Sequence, residues 1–318
     1  MRRPVTVPDP ERILLGHGSG GRLYRDLVHD VFLAHFDNPV LARLDDAAAL
    51  VSPGRIALTT DAHVVQPLVF AGGDIGRLAV AGTVNDLATA AARPLGLAAA
   101  FVIEEGFEIA RLHEICASMA ATAAESPVAI VTGDTKVVQR GAADGLFITT
   151  TGVGEITVAH DVSAAAAAAG DVLLLSGTLG DHALAVLAAR GDFHFTLDVR
   201  SDCAPLWGLV EAALAAGGTA VHFMRDPTRG GLATVLAELA EETDLGIDID
   251  EESLPVAAAV RSACDLLGYD PLALANEGKM VFAVAPEGAE AVLGALRTAY
   301  GTRRIVDMPV GELLPRIC

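Results

Sequence analysis

Several carboxylates in this 318-residue chain fall where a regular element should give way to a turn. Asp45-Asp46 opens an alanine run, Asp61 follows a strand-like Arg55–Thr60, and Asn85-Asp86 interrupts a helical pattern. Asp134 follows a strand-like Val128–Thr132, and Asp226 precedes Thr228-Arg229-Gly230-Gly231. Loops on a rigid scaffold expose such residues. Taken singly, each is also what a helix cap or turn former looks like. Together they suit Mg²⁺, which takes oxygen ligands in octahedral geometry and keeps waters and substrate phosphates. Carboxylates converging from several strand ends therefore predict a metal–nucleotide site. Gly133-Asp134-Thr135-Lys136 adds a cation, read in a turn, that can aim at phosphate oxygens. Glu277, in Asn276-Glu277-Gly278-Lys279, is a further carboxylate at an element edge and suits a general base. His17-Gly18-Ser19-Gly20-Gly21 is a loop whose amides can cradle an anion. It is not a Walker motif, because no Gly-Lys-Ser/Thr follows, and it lacks the spacing and preceding strand of a dinucleotide fingerprint.

The last residue is Cys318, after Leu314-Pro315-Arg316-Ile317. Prenylation would need the cysteine four residues from the end. Pro315 biases Leu314 toward extended backbone, and the stretch from Val310 spans up to roughly 30 Å. A compact chain of this size has a radius of gyration of about 20 Å. Residues 310–318 are therefore expected to form a mobile tail that carries the thiol into a cleft or offers it to another protein.

Composition sets the outer limits. With 52% hydrophobic and 20% charged residues, the chain can build sizeable globular cores. The longest apolar stretch is cut by Arg93-Pro94, and Arg2-Arg3 is followed by prolines rather than an apolar segment. Neither a membrane span nor a secretory signal is expected, and the cytoplasm is the expected location. Cys116, Cys203, Cys264 and Cys318 show no paired spacing, which argues against a disulfide framework or a cysteine zinc site. A net charge of −19 disfavours nucleic acid but not nucleotides held through metal ions.

Elements that must position these residues alternate along the chain. Strands are predicted at Arg55–Thr60, Leu95–Ile103, Val128–Thr132, Leu146–Gly154, Val172–Ser176 and Met280–Ala285. Helices are predicted at Ile75–Ala92, with Asp74 as N-cap, and at Glu108–Ala124, Asp181–Ala189 and Pro205–Ala215. Three more are predicted at Leu232–Glu242, Val256–Leu267 and Glu287–Tyr300. The alanine-rich Ser163–Gly170 separates two halves, giving an α/β chain with domains at about 1–160 and 161–309.

The chain resembles the HypE family of hydrogenase maturation proteins, in the superfamily of aminoimidazole ribonucleotide synthetase and selenophosphate synthetase. The resemblance runs almost end to end. It is carried by His17–Gly21, by Gly133-Asp134-Thr135-Lys136-Val137-Val138-Gln139-Arg140-Gly141, and by Ser176-Gly177-Thr178-Leu179-Gly180-Asp181-His182. Arg225-Asp226-Pro227-Thr228-Arg229-Gly230-Gly231, Asn276–Lys279 and Pro315-Arg316-Ile317-Cys318 complete it, while Ala183 and Ala237 depart from the pattern. The resemblance implies two aminoimidazole ribonucleotide synthetase-like domains with mixed sheets flanked by helices, and a flexible C-terminal tail. It implies that Cys318 receives a carbamoyl group from the carbamoyltransferase HypF and that ATP drives its dehydration to a thiocyanate. The cyano group would then pass to iron on a HypC–HypD complex for a [NiFe]-hydrogenase. Asp45, Asp46, Asp61, Asp86, Asp134 and Asp226 are the implied Mg²⁺ ligands. His17, Gly18, Ser19, Gly20, Gly21, Asp46, Asn85, Thr135 and Lys136 are the implied nucleotide contacts. Lys136 would act at the transferring phosphate, Glu277 as base, and the amino-terminal domain as the homodimer interface. Two rivals are a small-molecule amide or selenide kinase and a non-catalytic carrier. A selenide-using relative would carry its reactive residue near the amino terminus, where this chain has no cysteine before Cys116.

Overall fold

The structure is a computed structural model that describes residues 11–18, 22–44, 48–191, 197–300 and 311–315. A 3-10 turn at Leu15–Gly18 leads to a helical run made of α1 (Arg22–Leu27), a π-turn at Val28–Leu33 and α2 (Ala34–Phe36). The first sheet holds β1 (Ile56–His63), β4 (Ala92–Glu104), β5 (Ile130–Val138) and β6 (Leu146–Ile156), in the order β1-β6-β4-β5. A small hairpin of β2 (Val69–Phe70) and β3 (Gly73–Asp74) precedes α3 (Ile75–Thr89), and α4 (Ile109–Glu125) joins β4 to β5. In the first sheet only the β4/β5 pair is parallel, as a helical crossover requires.

α3 is the central element. The Asp74 carboxylate accepts from the Arg77 amide at 2.8 Å, capping it as the sequence predicts. Twelve of its fifteen residues are buried, so it has no solvent face and packs on β1, β6, β4 and α4 at once. The helix runs unbroken through Asn85-Asp86, where the sequence predicts an interruption, because both polar side chains find partners within the fold.

The second sheet has the order β8-β10-β7-β11-β9, all antiparallel. Its strands are β7 (Val172–Leu175), β8 (Val221–Arg225), β9 (Leu245–Ile249), β10 (Val281–Val284) and β11 (Gly311–Pro315). Around it lie α5 (Asp181–Ala189), α6 (Trp207–Gly217), α7 (Gly231–Thr243), α8 (Ala258–Leu267) and α9 (Pro286–Tyr300). One apolar cluster runs from Ile13 and Val80 through Trp207 to Leu296, so both halves share a core.

Two expectations need correction. Asp134 and Lys136 do not lie in a turn, because β5 extends through both to Val138. Gly133, read as a turn former, is instead a close-approach residue: a Cβ there would strike the Ala99 carbonyl of the neighbouring strand. Residues 310–318 are likewise not wholly an unpaired tail. Gly311–Pro315 pairs along its length with β9, and Gly311 and Glu312 pair also with β7.

Candidate active site

β1 alternates exposed and covered residues, and its covered side carries Ala57, Thr59, Asp61 and His63 toward α3. The Thr59 hydroxyl donates to Asp86 Oδ2 at 2.8 Å, tying the strand to the last turn of the helix. Asp61 Oδ2 lies 3.6 Å from Nε2 of the buried His63, and that nitrogen also meets the Thr150 hydroxyl at 3.1 Å. From the other half of the molecule, Asp226 extends β8 and Glu277 precedes β10, bringing two more carboxylates to the junction between the sheets.

The electrostatics of this junction are those of crowded acids. Burial, chiefly, lifts the Asp226 carboxyl to about 7, and the charges of Asp86 and Asp61 add to the rise. Burial also raises Asp86, as does Asp61, while the Thr59 hydrogen bond, Arg229 and Arg225 oppose it. Glu277 is raised well above the usual carboxylate range, first by burial and then by Asp226, Asp202, Asp61 and Asp86. A cleft of about 460 Å³ opens on this junction, lined by Asp86, Ser163, Arg225, Asp226 and Thr228. Hard oxygen donors that repel one another fit a bound dication with phosphate oxygens. Among the described residues no three His, Cys, Asp or Glu side chains gather tightly enough to hold a metal ion alone.

Asn85 has a task that the sequence reading missed. Its amide donates to the Ala204 and Glu277 carbonyls, each at 3.2 Å, and its Oδ1 accepts from the Leu206 amide at 2.8 Å. Buried and engaged at both ends, it clamps the two halves together instead of presenting a free group to a nucleotide.

Asp134 and Lys136 lie elsewhere on the sheet. Asp61, Thr150, Ala99 and Gly133 form one register row, so Asp134, the next residue, points to the opposite face. β1 and β5 are also opposite edges, about 14 Å apart at three strand spacings. Lys136 Nζ lies 3.9 Å from Asp134 Oδ2, and both side chains are largely exposed. Thr135 is buried on the face that Asp61 shares. It borders a separate, more apolar cleft of about 590 Å³ with Arg25, His29, Phe32 and Phe101. His17 turns inward, its Nδ1 accepting from the Leu14 amide at 2.9 Å, and Gly18 packs against Val137 of β5. Ser19, Gly20, Gly21, Asp45, Asp46 and Cys318 lie outside the described residues.

Residues 44–156 match the family "AIR synthase related protein, N-terminal domain" and residues 168–303 the corresponding C-terminal domain. The carbamoyl dehydratase HypE of Bradyrhizobium diazoefficiens is 50% identical, across 96% of this chain and 95% of that one. The chain belongs to the HypE family. A crystal structure of the hydrogenase maturation protein HypE in complex with ATP superposes with a TM-score of 0.89 at 46% identity, covering 94% of this chain and 89% of that chain. The HypE of a HypE–HypF complex superposes at 0.79 with 47% identity, covering 91% and 93%. The resemblance and the two-domain α/β architecture read from the sequence thus both stand.

His63, Thr59, Asp202 and Lys279 were not singled out from the sequence. Lys279 sits inside the Asn276–Lys279 motif, and that was the one signal available.

Proposed function

We propose that this chain is an ATP-dependent carbamoyl dehydratase acting on its own Cys318. The observation that carries the reading is the half-buried acidic junction of Asp61, Asp86, Asp226 and Glu277, whose charges act on one another, in a family with a HypE solved bound to ATP. The S-carbamoyl oxygen attacks the γ-phosphorus, ADP leaves, and the amide loses one proton to give an imidate phosphate. Loss of phosphate and of the second nitrogen proton leaves S–C≡N, so the carbonyl oxygen departs on phosphate. Amide oxygen is a poor leaving group, and phosphorylation makes its departure feasible. Phosphoryl transfer asks mainly for positioning and charge neutralisation. Mg²⁺, held by Asp45, Asp46, Asp61, Asp86 and Asp226 with phosphate oxygens, would supply that neutralisation. Glu277 accepts amide protons, since a carboxylate in a dry site is a stronger base than in water. The loop His17–Gly21, which meets β5 where Gly18 packs on Val137, would add nucleotide contacts from the copy that supplies Lys136, while Thr135 faces the separate cleft.

The opposite placement of Asp134 and Lys136 favours a homodimer in which these two serve the junction of a second copy. Their face of the first sheet carries small residues such as Ala98 and Ala100, together with Leu58, which is 70% exposed. Such a surface suits closure against another sheet. HypF as carbamoyl donor and a HypC–HypD complex as cyanide acceptor follow from the same reading, the former supported by the HypE–HypF complex. A cytoplasmic setting accords with the finding that no described helix is long and apolar enough to cross a membrane.

The test is to carbamoylate Cys318, add Mg·ATP and follow the mass of the C-terminal peptide. ATP-dependent loss of one water is expected. An unchanged mass in folded, carbamoylated protein would favour a carrier whose tail only docks.

A further inference from the structure

Resting on the reading of Glu277 as the base, we infer that Asp202 is its positioning residue, with Lys279 as the counter-ion that keeps Asp202 in place. Asp202 stands in the segment 197–206 between α5 and α6, and its side chain is 4% exposed. Its Oδ1 accepts from the Glu277 amide at 3.3 Å and its Oδ2 from the Gly278 amide at 3.1 Å. The same Oδ2 pairs with Lys279 Nζ at 3.0 Å, so one carboxylate grips three successive residues. The approach is so close that a Cβ on Gly278 would overlap the Asp202 carbonyl. On the other side, the Glu277 carbonyl accepts from Asn85 of α3 at 3.2 Å. Both peptide groups of the base are therefore fixed, one from each half of the molecule.

The segment that carries Asp202 is itself anchored across the junction. The Ser201 amide donates to the Ala71 carbonyl at 2.7 Å, and Arg77 Nε donates to the Cys203 carbonyl at 2.7 Å. The Arg77 guanidinium is held in turn by both oxygens of Glu125, at 2.7 and 2.9 Å. A general base must lie within hydrogen-bond reach of the proton it removes, and a displacement of about 1 Å can cost on the order of 100-fold in rate. Buried ion pairs gripping backbone amides are one way to hold such tolerance.

The experiment uses full-length protein S-carbamoylated at Cys318 and measures single-turnover dehydration alongside ATP affinity. Asp202→Asn keeps one acceptor but turns an amide group toward a backbone N–H, and it should slow dehydration at least about tenfold with ATP affinity within about twofold of wild type. Because that variant leaves Lys279 buried without its counter-ion, the neutral pair Asp202→Asn/Lys279→Met is measured as well. It should fold, bind ATP normally and stay slow, whereas Asp202→Glu should recover part of the rate. A neutral-pair variant dehydrating at the wild-type rate overturns the inference, as does a loss of ATP affinity matching the loss of rate. A wild-type protein that fails to dehydrate sinks the dehydratase reading, and the inference with it.

Discussion

Protonation of individual carboxylates sets the behaviour of the site. In the metal-free fold the Asp226 carboxyl titrates at about 7, above the ordinary value of 3.8 that it regains on unfolding. Between these values the unfolded chain is ionised while the folded one holds its proton. The group therefore costs stability as pH rises from about 4 to 7, on the order of 4 kcal/mol once fully expressed. Asp226→Asn should remove this slope and raise the melting temperature of the metal-free protein at pH 8. A cation binds the ionised form, so Mg·ATP affinity should increase from pH 6 to pH 8 in the wild type and flatten in Asp226→Asn. Calorimetry across that range checks both signs. Glu277→Gln keeps the shape but cannot accept a proton. Dehydration should fall by roughly 10²-fold or more while ATP still binds, and an unchanged rate would remove Glu277 from the mechanism.

The C-terminal strand imposes a constraint at the scale of elements. Arg225 is level with Val281 and Leu175 in the second sheet, whereas Pro315 pairs with Leu245 on the far side of Val172. Pro315 therefore leaves the sheet about 20 Å along the strands from the level of Arg225. Three further residues reach only about 10 Å, so Cys318 cannot meet Glu277 of its own subunit while β11 stays paired. Joining β11 to β9 through a disulfide at Leu313→Cys and Ile247→Cys, which are register partners, should block dehydration but not carbamoylation. Reduction should restore it. Equal rates in both redox states would show that the strand need not separate. None of this was legible in the sequence, where Pro315 and the terminal position suggested an unpaired tail. Helices α3 to α9 were legible, with Asp74 capping the first of them and α5 running over the predicted Asp181–Ala189, whereas α1 and α2 were not expected from the sequence. β8, β9 and β11 escaped because five-residue strands with charged or glycine positions carry little local signal.

For the molecule as a whole, the proposed assignment would divide the site between two faces of one sheet. The motif carrying Asp134 and Lys136 was visible in the sequence, but the face to which each side chain points depends on register, and a shift of one residue reverses it. With Asp134 on the opposite face from Asp61 and at the other edge of the sheet, a single copy holds Lys136 and the acidic junction apart. If a second copy supplies Lys136, each site of the dimer draws its lysine from one subunit and Glu277 from the other. Lys136→Ala and Glu277→Gln homodimers should each be nearly inactive. Co-expressed and randomly mixed, they should recover about a quarter of wild-type dehydration, because half the dimers are mixed and each mixed dimer has one intact site. An arrangement within one subunit predicts no recovery, since every site would carry one lesion. Purifying the mixed dimer through two different affinity tags should raise the recovered activity to about half, and its failure to exceed either parent would overturn the shared-site reading.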